Sequence, residues 1–305
     1  MPTGGNRAVP DKKMLLIVNP TSGQKKILPQ LPTVFKILSA GEHDLYLKFT
    51  SARGDATEYV RTLGADFDTV VCAGGDGTLN ECVTGLMALP PDRRPKIGYI
   101  PCGSTNDFAA SLKLPTEILA AAERIAAGNS KRLDVGAFGD RYFTYTASFG
   151  AFTESSYNTP QSLKNVLGHL AYILDGIKSI TSIRYTELSV SSDGDTLSGK
   201  YIFGGICNST SMGGVMKLKG DQVDFSDGLF ELLLIRYPRS AAELARIIQA
   251  VTTCTFDGDL VSFRHCREAQ FTMKEPTPWT IDGEFGGRVE EICVKNLPGA
   301  MDMIL

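Results

Sequence analysis

Apolar residues in the first 130 positions fall into short solid runs separated by amphipathic stretches. Met14-Leu15-Leu16-Ile17-Val18 and Thr69-Val70-Val71-Cys72 carry no polar alternation, the pattern of parallel strands buried on both faces. Leu45-Tyr46-Leu47-Lys48-Phe49 and Lys96-Ile97-Gly98-Tyr99-Ile100 complete a set of four strands. Leu79, Cys82, Val83, Leu86 and Met87 recur at helical spacing and predict a helix after the third strand. Leu28, Leu31, Val34, Phe35 and Leu38 predict another, irregular at its start because of Pro29 and Pro32. Shorter helices are expected over 54–63 and over 116–127, the latter with Thr116 as N-cap and Gly128 as C-cap.

From Arg132 the period changes to that of short strands: 132–138, 142–149, 185–192, 197–207, 222–225 and 229–236, then 260–264, 269–273, 278–281 and 289–294. Two helices interrupt them. One spans 162–180, with Leu163, Val166, Leu167, Leu170, Ile173, Leu174 and Ile177 on one face. The other spans 240–253 and opens on a Ser240–Glu243 capping box. The order βαβα followed by strands predicts two domains, an α/β parallel-sheet domain and an antiparallel β-sandwich with helical insertions. The boundary falls near 130–140, giving domains 1–134 and 135–305, with a return of the last residues to the first domain left open.

The strand ends carry the polar chemistry. The third strand runs into Ala73-Gly74-Gly75-Asp76-Gly77-Thr78-Leu79-Asn80-Glu81, a glycine-rich turn into a helix. Its glycines leave the backbone free to take positive φ and let a ligand approach closely. Successive amides with a helix N-terminus behind them form an anion nest. Asp76 would repel a bare phosphate, so its place suggests a proton, a hydroxyl or a metal. The first strand ends in Asn19-Pro20-Thr21-Ser22-Gly23, the second in Thr50-Ser51, and the fourth in Pro101-Cys102-Gly103-Ser104-Thr105-Asn106-Asp107-Phe108. In open α/β sheets ligands bind at this carboxyl edge. Gly194–Tyr201 imitates a P-loop, but Tyr201 replaces the metal-holding hydroxyl residue and strands flank it, so a hairpin is expected there.

Composition narrows the classes. A net charge of −3 without a Lys/Arg run argues against a nucleic-acid surface. Seven scattered cysteines suit reduced thiols rather than a disulfide framework. No apolar run approaches the ~18 residues of a membrane span. The expectation is a cytoplasmic protein, peripheral to a membrane at most.

The three polar loops, in this order, resemble the diacylglycerol kinase catalytic domain family, which includes bacterial lipid kinases and the sphingosine and ceramide kinases. The resemblance continues through Arg132-Leu133-Asp134-Val135-Gly136, Leu167–Tyr172, Ser226-Asp227-Gly228-Leu229 and Ile281-Asp282-Gly283-Glu284. It implies a Rossmann-like first domain, of the NAD kinase and phosphofructokinase type, with the site in the cleft before a β-rich lipid-binding domain. It implies ATP-dependent, Mg²⁺-assisted phosphorylation of a lipid hydroxyl, most simply diacylglycerol to phosphatidic acid. Around ATP it places Asn19, Ser22, Gly23, Lys25, Thr50, Gly74, Gly75, Gly77, Thr78, Glu81, Gly103, Ser104, Thr105, Asn106 and Lys164. It makes Asp76, Asp282 and Glu284 the catalytic acids, with the general base undecided between Asp76 and Asp282. It gives Asp224, Asp227 and the Leu229 carbonyl a Mg²⁺ ion, whose preference for oxygen donors they meet. Gln24 stands where the family often has a basic residue, so that charge would fall to Lys25 or Lys26. The partner is then a lipid at the inner face of the membrane, met through the 162–180 helix and the loop 152–161 before it; a homodimer is left open. The competing functions are an NAD kinase-like enzyme with a soluble acceptor and a catalytically silent sensor of lipid or nucleotide.

Overall fold

In the computed structural model of the 305-residue chain, the described residues are 12–25, 27–40, 43–150, 181, 183–212, 216–218 and 223–305. The predicted helix over 162–180, the loop 152–161 and Lys164 lie outside them. The chain is mixed α/β and divides into two compact units: Met1–Lys131 with Met301–Leu305, and Arg132–Ala300.

In the first unit β1 (Lys12–Val18), β2 (His43–Phe49), β3 (Thr69–Gly74) and β4 (Lys96–Pro101) are mutually parallel, in the order β2-β1-β3-β4. Crossover helices α1 (Leu31–Ser39), α2 (Asp55–Leu63) and α3 (Asp76–Met87) link them. Two more follow β4, the short α4 (Asp107–Ser111) and α5 (Ile118–Ala127). Val34 and Leu38 of α1 and Ile118, Ala121, Ala122 and Ile125 of α5 bury one sheet face with Leu16, Val71 and Ile100. Ile304 joins this core, and Met303 pairs in parallel with Ile97, so the last residues belong to the first unit. Helix α5 starts at Ile118 with Glu117 at its N-cap and no side-chain cap, so Thr116 does not cap it. Gly128 does end it, in a left-handed conformation at φ 73°.

The second unit is rich in sheet. Its strands are β5 (Ser130–Phe138), β6 (Arg141–Phe143), β7 (Thr146–Gly150), β8 (Thr186–Ser192), β9 (Asp195–Cys207), the short β10 (Ser211–Met212) and β11 (Met216–Lys217), β12 (Phe230–Arg236), β13 (Val261–Cys266), β14 (Glu268–Ile281) and β15 (Glu284–Ile304). Strands β13-β12-β9-β7-β14-β15 are neighbours in that order, and β8 pairs with both β9 and β14. Two cores lie on opposite faces. Phe230, Leu232 and Leu234 of β12 enter a core with Trp279, Phe149 and Phe271. Leu233 and Ile235, of the opposite parity, enter one covered by Leu244, Ile247 and Val251 of α6 (Ala241–Thr253). At the head of α6, Ser240 Oγ accepts from the Glu243 amide at 3.2 Å, but Glu243 reaches back to the Arg239 amide, one residue beyond the expected partner.

Residues 223–225 form no strand; they lead into a turn. The strands expected at 269–273 and 278–281 are one strand, β14. Its register shifts between Thr272 and Thr277, an irregularity that splits the apolar pattern in two. The P-loop imitation is the β8–β9 hairpin, turning at Asp193-Gly194 with φ of 48° and 92°. Positive φ at both turn positions is the type I′ geometry that Asp-Gly favours.

Candidate functional site

Parallel strands bring their carboxyl ends to one edge, and in the first unit that edge gathers four loops. Asn19, just past β1, donates from Nδ2 to Thr78 Oγ1 in the first turn of α3 at 3.1 Å, while its Oδ1 accepts from the Thr21 amide and hydroxyl. One asparagine thus ties the Asn-Pro-Thr-Ser-Gly loop to the glycine loop. Gly23 sits at φ 51°, and a Cβ there would run into the carbonyl oxygen of Cys102. Ser22–Lys25 forms a 3₁₀ turn. The loop after β4 therefore lies against both others.

The glycine loop departs from its expected conformation. Gly74, Gly75 and Gly77 do not adopt positive φ; Gly75 is extended, at φ −92° and ψ −176°. Space requires glycine at Gly74 and at Gly103, and leaves Gly75 little room. A Cβ on Gly74 would stand 2.6 Å from the Thr78 side chain. A Cβ on Gly103 would stand 2.7 Å from Gly75 Cα and 2.7 Å from Asn106 Oδ1. Two glycine backbones touch where side chains would separate the loops.

Asn106 holds this contact. It takes a left-handed conformation at φ 52°, accepts from the Gly103 amide at 2.8 Å and donates to the Gly103 carbonyl at 3.0 Å. Ser104 and Thr105 beside it are exposed. Asp76 begins α3, and its carboxylate accepts from the Asp107 amide at 3.0 Å and, at longer range, from the Phe108 amide and the Tyr99 hydroxyl. It therefore joins the starts of α3 and α4. Burial pushes the Asp107 carboxyl above the usual carboxylate range. Glu81, placed at the nucleotide by resemblance, spends its carboxylate on the amides of Gly54 and Ala56, at 2.8 and 3.2 Å. It anchors the start of α2, and so the loop holding Thr50, to α3.

The second unit carries the remaining acids. Asp282 and Gly283 turn the β14–β15 hairpin at φ of 46° and 80°. This is the same Asp-Gly turn as at Asp193, which is exposed, whereas Asp282 is buried. Its Oδ2 accepts from the Thr144 amide and hydroxyl at 2.7 and 2.9 Å, and its Oδ1 from the amides of Tyr145 and Thr146 at 3.0 Å each. Four donors meet the roughly four acceptor sites of a carboxylate. Glu284, two residues on, is exposed.

In the Asp-x-x-Asp-Gly turn, Asp224 Oδ1 accepts from the amide and hydroxyl of Ser226, and Asp227 Oδ1 accepts from the Leu229 amide. The Leu229 carbonyl accepts from Asn296 Nδ2 at 3.1 Å. No group of three or more His, Cys, Asp or Glu side chains suited to a metal occurs among the described residues. Oxygen donors of the right kind are nonetheless adjacent on one turn, both acids exposed. The residue that fixes this turn carries no motif signal of its own. Asp134 is buried, and its carboxylate accepts from the amides of Gly228 and Gly299, at 2.7 and 2.8 Å, and from Asn296. Only its place in the Arg-Leu-Asp-Val-Gly run hinted at it.

Comparison with known proteins agrees along the chain. Residues 13–138 match the diacylglycerol kinase catalytic domain, and residues 149–305 match the YegS C-terminal NAD kinase beta sandwich-like domain. A diacylglycerol kinase of Bacillus subtilis (strain 168) is 35% identical over 283 residues, covering 90% of this chain and 91% of that one. One from Staphylococcus carnosus (strain TM300) is 34% identical over 280 residues, covering 91% and 90%. A crystal structure from Bacillus anthracis str. Sterne superposes with a TM-score of 0.79 at 26% identity, covering 96% of this chain and 95% of that one. With the paired glycine loops and identity sustained over nine-tenths of its length, this chain belongs to the diacylglycerol kinase family.

Proposed function

We propose that this chain is an ATP-dependent lipid kinase that transfers the γ-phosphate to the hydroxyl of diacylglycerol, giving phosphatidic acid. The observation that carries this reading is the contact of Gly75 with Gly103, which brings the glycine loop and the Gly-Ser-Thr-Asn loop together at the N-terminus of α3. Phosphoryl transfer needs little covalent help from a protein; it needs alignment and charge neutralisation. An open helix N-terminus flanked by glycines supplies amides to phosphate oxygens.

The first unit is read as the Rossmann-like nucleotide domain, and its four parallel strands support that. Asn19, Ser22, Gly23 and Thr50 line the nucleotide, with Gly74, Gly75, Gly77 and Thr78 at its phosphates and Gly103, Ser104, Thr105 and Asn106 opposite. Lys25 and Lys164 are assigned to phosphate by resemblance. Glu81 positions the Thr50 loop. The second unit is read as the lipid-binding sandwich, with the boundary at 131–135. Asp224, Asp227 and the Leu229 carbonyl would hold Mg²⁺, their turn kept in shape by Asp134; bound there, the ion would supply positive charge. Asp76 and Asp282 remain the two candidates to accept the hydroxyl proton, with Glu284 beside the second. Asp76 takes the Phe108 amide and the Tyr99 hydroxyl at 3.4 and 3.5 Å.

Among the described residues no helix is long and apolar enough to cross a membrane. A lipid acceptor then requires peripheral contact, at the inner face of the membrane. The test is γ-labelled ATP with diacylglycerol, monoacylglycerol, sphingosine, ceramide, phosphatidylglycerol, undecaprenol and NAD as separate acceptors. Label in phosphatidic acid is expected. Label in NADP alone, or in none, overturns the proposal.

A further inference from the structure

Two polar side chains of the second unit hold buried donors without a partner, and they meet at one place. Tyr201 of β9 is 1% exposed and belongs to the core of Trp279 and Leu232, yet its hydroxyl has no hydrogen-bond partner among the described residues. Arg236, the last residue of β12, has a buried Nε that also lacks one. The β9–β12 register slips by one residue between Ile235 and Arg236, and the slip sets Arg236 opposite Tyr201. Irregularities of this kind re-aim a side chain. The guanidinium lies over the phenol ring, with Cζ 5.7 Å from its centroid.

Gly199, two residues before Tyr201 and on the same face of β9, keeps the spot open. A Cβ there would stand 3.3 Å from Arg236 Nη1 and 3.7 Å from the Tyr201 hydroxyl oxygen. Both donors are therefore within reach of one small ligand. A second cation is near. Burial pushes the Tyr201 hydroxyl above its ordinary pKa, while the charges of Arg236 and Arg264 pull it down. Arg264, on β13, spends Nη1 on the exposed Asp195 carboxylate at 2.7 Å. A buried donor without an acceptor is costly, and a native fold keeps one where a group from outside the chain meets it.

We propose that Tyr201, Arg236 and Arg264 bind a phosphate monoester group, through the Tyr201 hydroxyl and the two guanidinium groups. The donors name the ligand. A guanidinium has donors only, and its fork matches two phosphate oxygens at once. The phenol adds a neutral donor beside it. The place is remote from the acids described above. The 7 residues of β12 separate Arg236 from the Asp-x-x-Asp-Gly turn, roughly 20 Å at the rise of a strand. Asp282 is similarly far along β9, since its amide bonds Thr146, which pairs with Cys207.

The test follows the Arg236 Nε–H resonance of the full chain by NMR, assigned by its loss in Arg236→Gln. The probes are sodium phosphate and, separately, dihexanoyl phosphatidate, a soluble lipid that carries the same phosphate monoester. Sodium chloride at matched ionic strength is the control. The resonance should move and saturate with a phosphate probe and stay in place with chloride. Saturation by inorganic phosphate marks a site for free phosphate; saturation by phosphatidate alone marks one for a lipid headgroup. Tyr201→Phe keeps the ring and should raise the dissociation constant about tenfold. Asp195→Asn should lower it about twofold or more, because it releases Arg264. A resonance that neither probe moves, or that chloride moves equally, overturns the proposal. So does a dissociation constant that Tyr201→Phe and Asp195→Asn both leave unchanged. The measurement uses neither ATP nor phosphoryl transfer, so failure here is distinct from failure of the lipid-kinase assignment.

Discussion

The backbones of Gly75 and Gly103 touch: a Cβ on Gly103 would lie 2.7 Å from Gly75 Cα. Two loops from neighbouring parallel strands are brought to contact distance by the absence of side chains. Gly103→Ala should separate them. The new methyl group meets Gly75 and Asn106, and Asn106 holds its loop through both its oxygen and its nitrogen. Overpacking of this kind typically costs ~1–3 kcal/mol. ATP affinity, measured by calorimetry, should fall at least about tenfold, with a lowered melting temperature. Gly75→Val should do the same for the same spatial reason, without positive-φ strain. Unchanged ATP affinity in both variants would place the phosphates elsewhere.

The contrast between these glycines and Asp134 shows what the sequence made legible. Four apolar runs, each closed by a polar cluster, announced a parallel sheet with a loaded carboxyl edge, because period and loop chemistry are local properties. The purpose of the glycines was not dihedral freedom. Gly74 makes room for the Thr78 side chain, and Gly75 for Gly103, about thirty positions away. Asp134 was hidden for the same reason. Its partners, Gly228, Asn296 and Gly299, are distant in sequence, and one acid in an apolar strand resembles any other. The Asp282 carboxylate is similar: Asp-Gly announces a turn, but not the four donors that converge on it.

Asp134→Ala should be among the most destabilising acid substitutions in the second unit. It leaves the amides of Gly228 and Gly299 without their acceptor, and hydrogen bonds to a charged group contribute about 1.5–3 kcal/mol each before relaxation. Urea unfolding should show a loss of ~3 kcal/mol or more. Asp227→Ala, at an exposed site, should cost far less in metal-free buffer. If the turn binds Mg²⁺, added Mg²⁺ should raise the melting temperature of wild type and not of Asp227→Ala. Equal Mg²⁺ responses from the two would remove the metal from this turn.

Asp76→Asn and Asp282→Asn should separate a chemical role from a structural one. Asp282→Asn puts an amide group among four donors, so at least one donor faces another donor. The left-handed backbone itself suits asparagine. A stability loss of ~2 kcal/mol is expected from the hydrogen bonds alone. Asp76→Asn should change stability less and lower kcat by about 10²-fold or more, the usual contribution of a positioned acid or base. Should Asp282→Asn instead keep its full melting temperature while losing turnover, Asp282 is the proton acceptor and its four donors merely aim it.

Glu231 gives the chain a pH dependence of unusual sign. It lies on β12, buried, 3.9 Å from His265 Nε2 and 3.7 Å from the Cys207 thiol. Burial is the largest influence on its carboxyl and pushes its pKa up to about 8, from an ordinary value of 4.5. Between those values the folded chain binds a proton that the unfolded chain has released. Stability from this group is therefore fully present below pH ~4.5 and declines as pH rises toward ~8, the reverse of a salt-bridged carboxylate. At ~1.4 kcal/mol per pKa unit, the swing is a few kcal/mol. Glu231→Gln keeps the shape and the neutral charge of the protonated form. Wild type should lose stability relative to Glu231→Gln between pH 5 and pH 8 in urea unfolding, and the two should converge at the acid end. Parallel stability curves across that range would mean that Glu231 is already ionised in the fold.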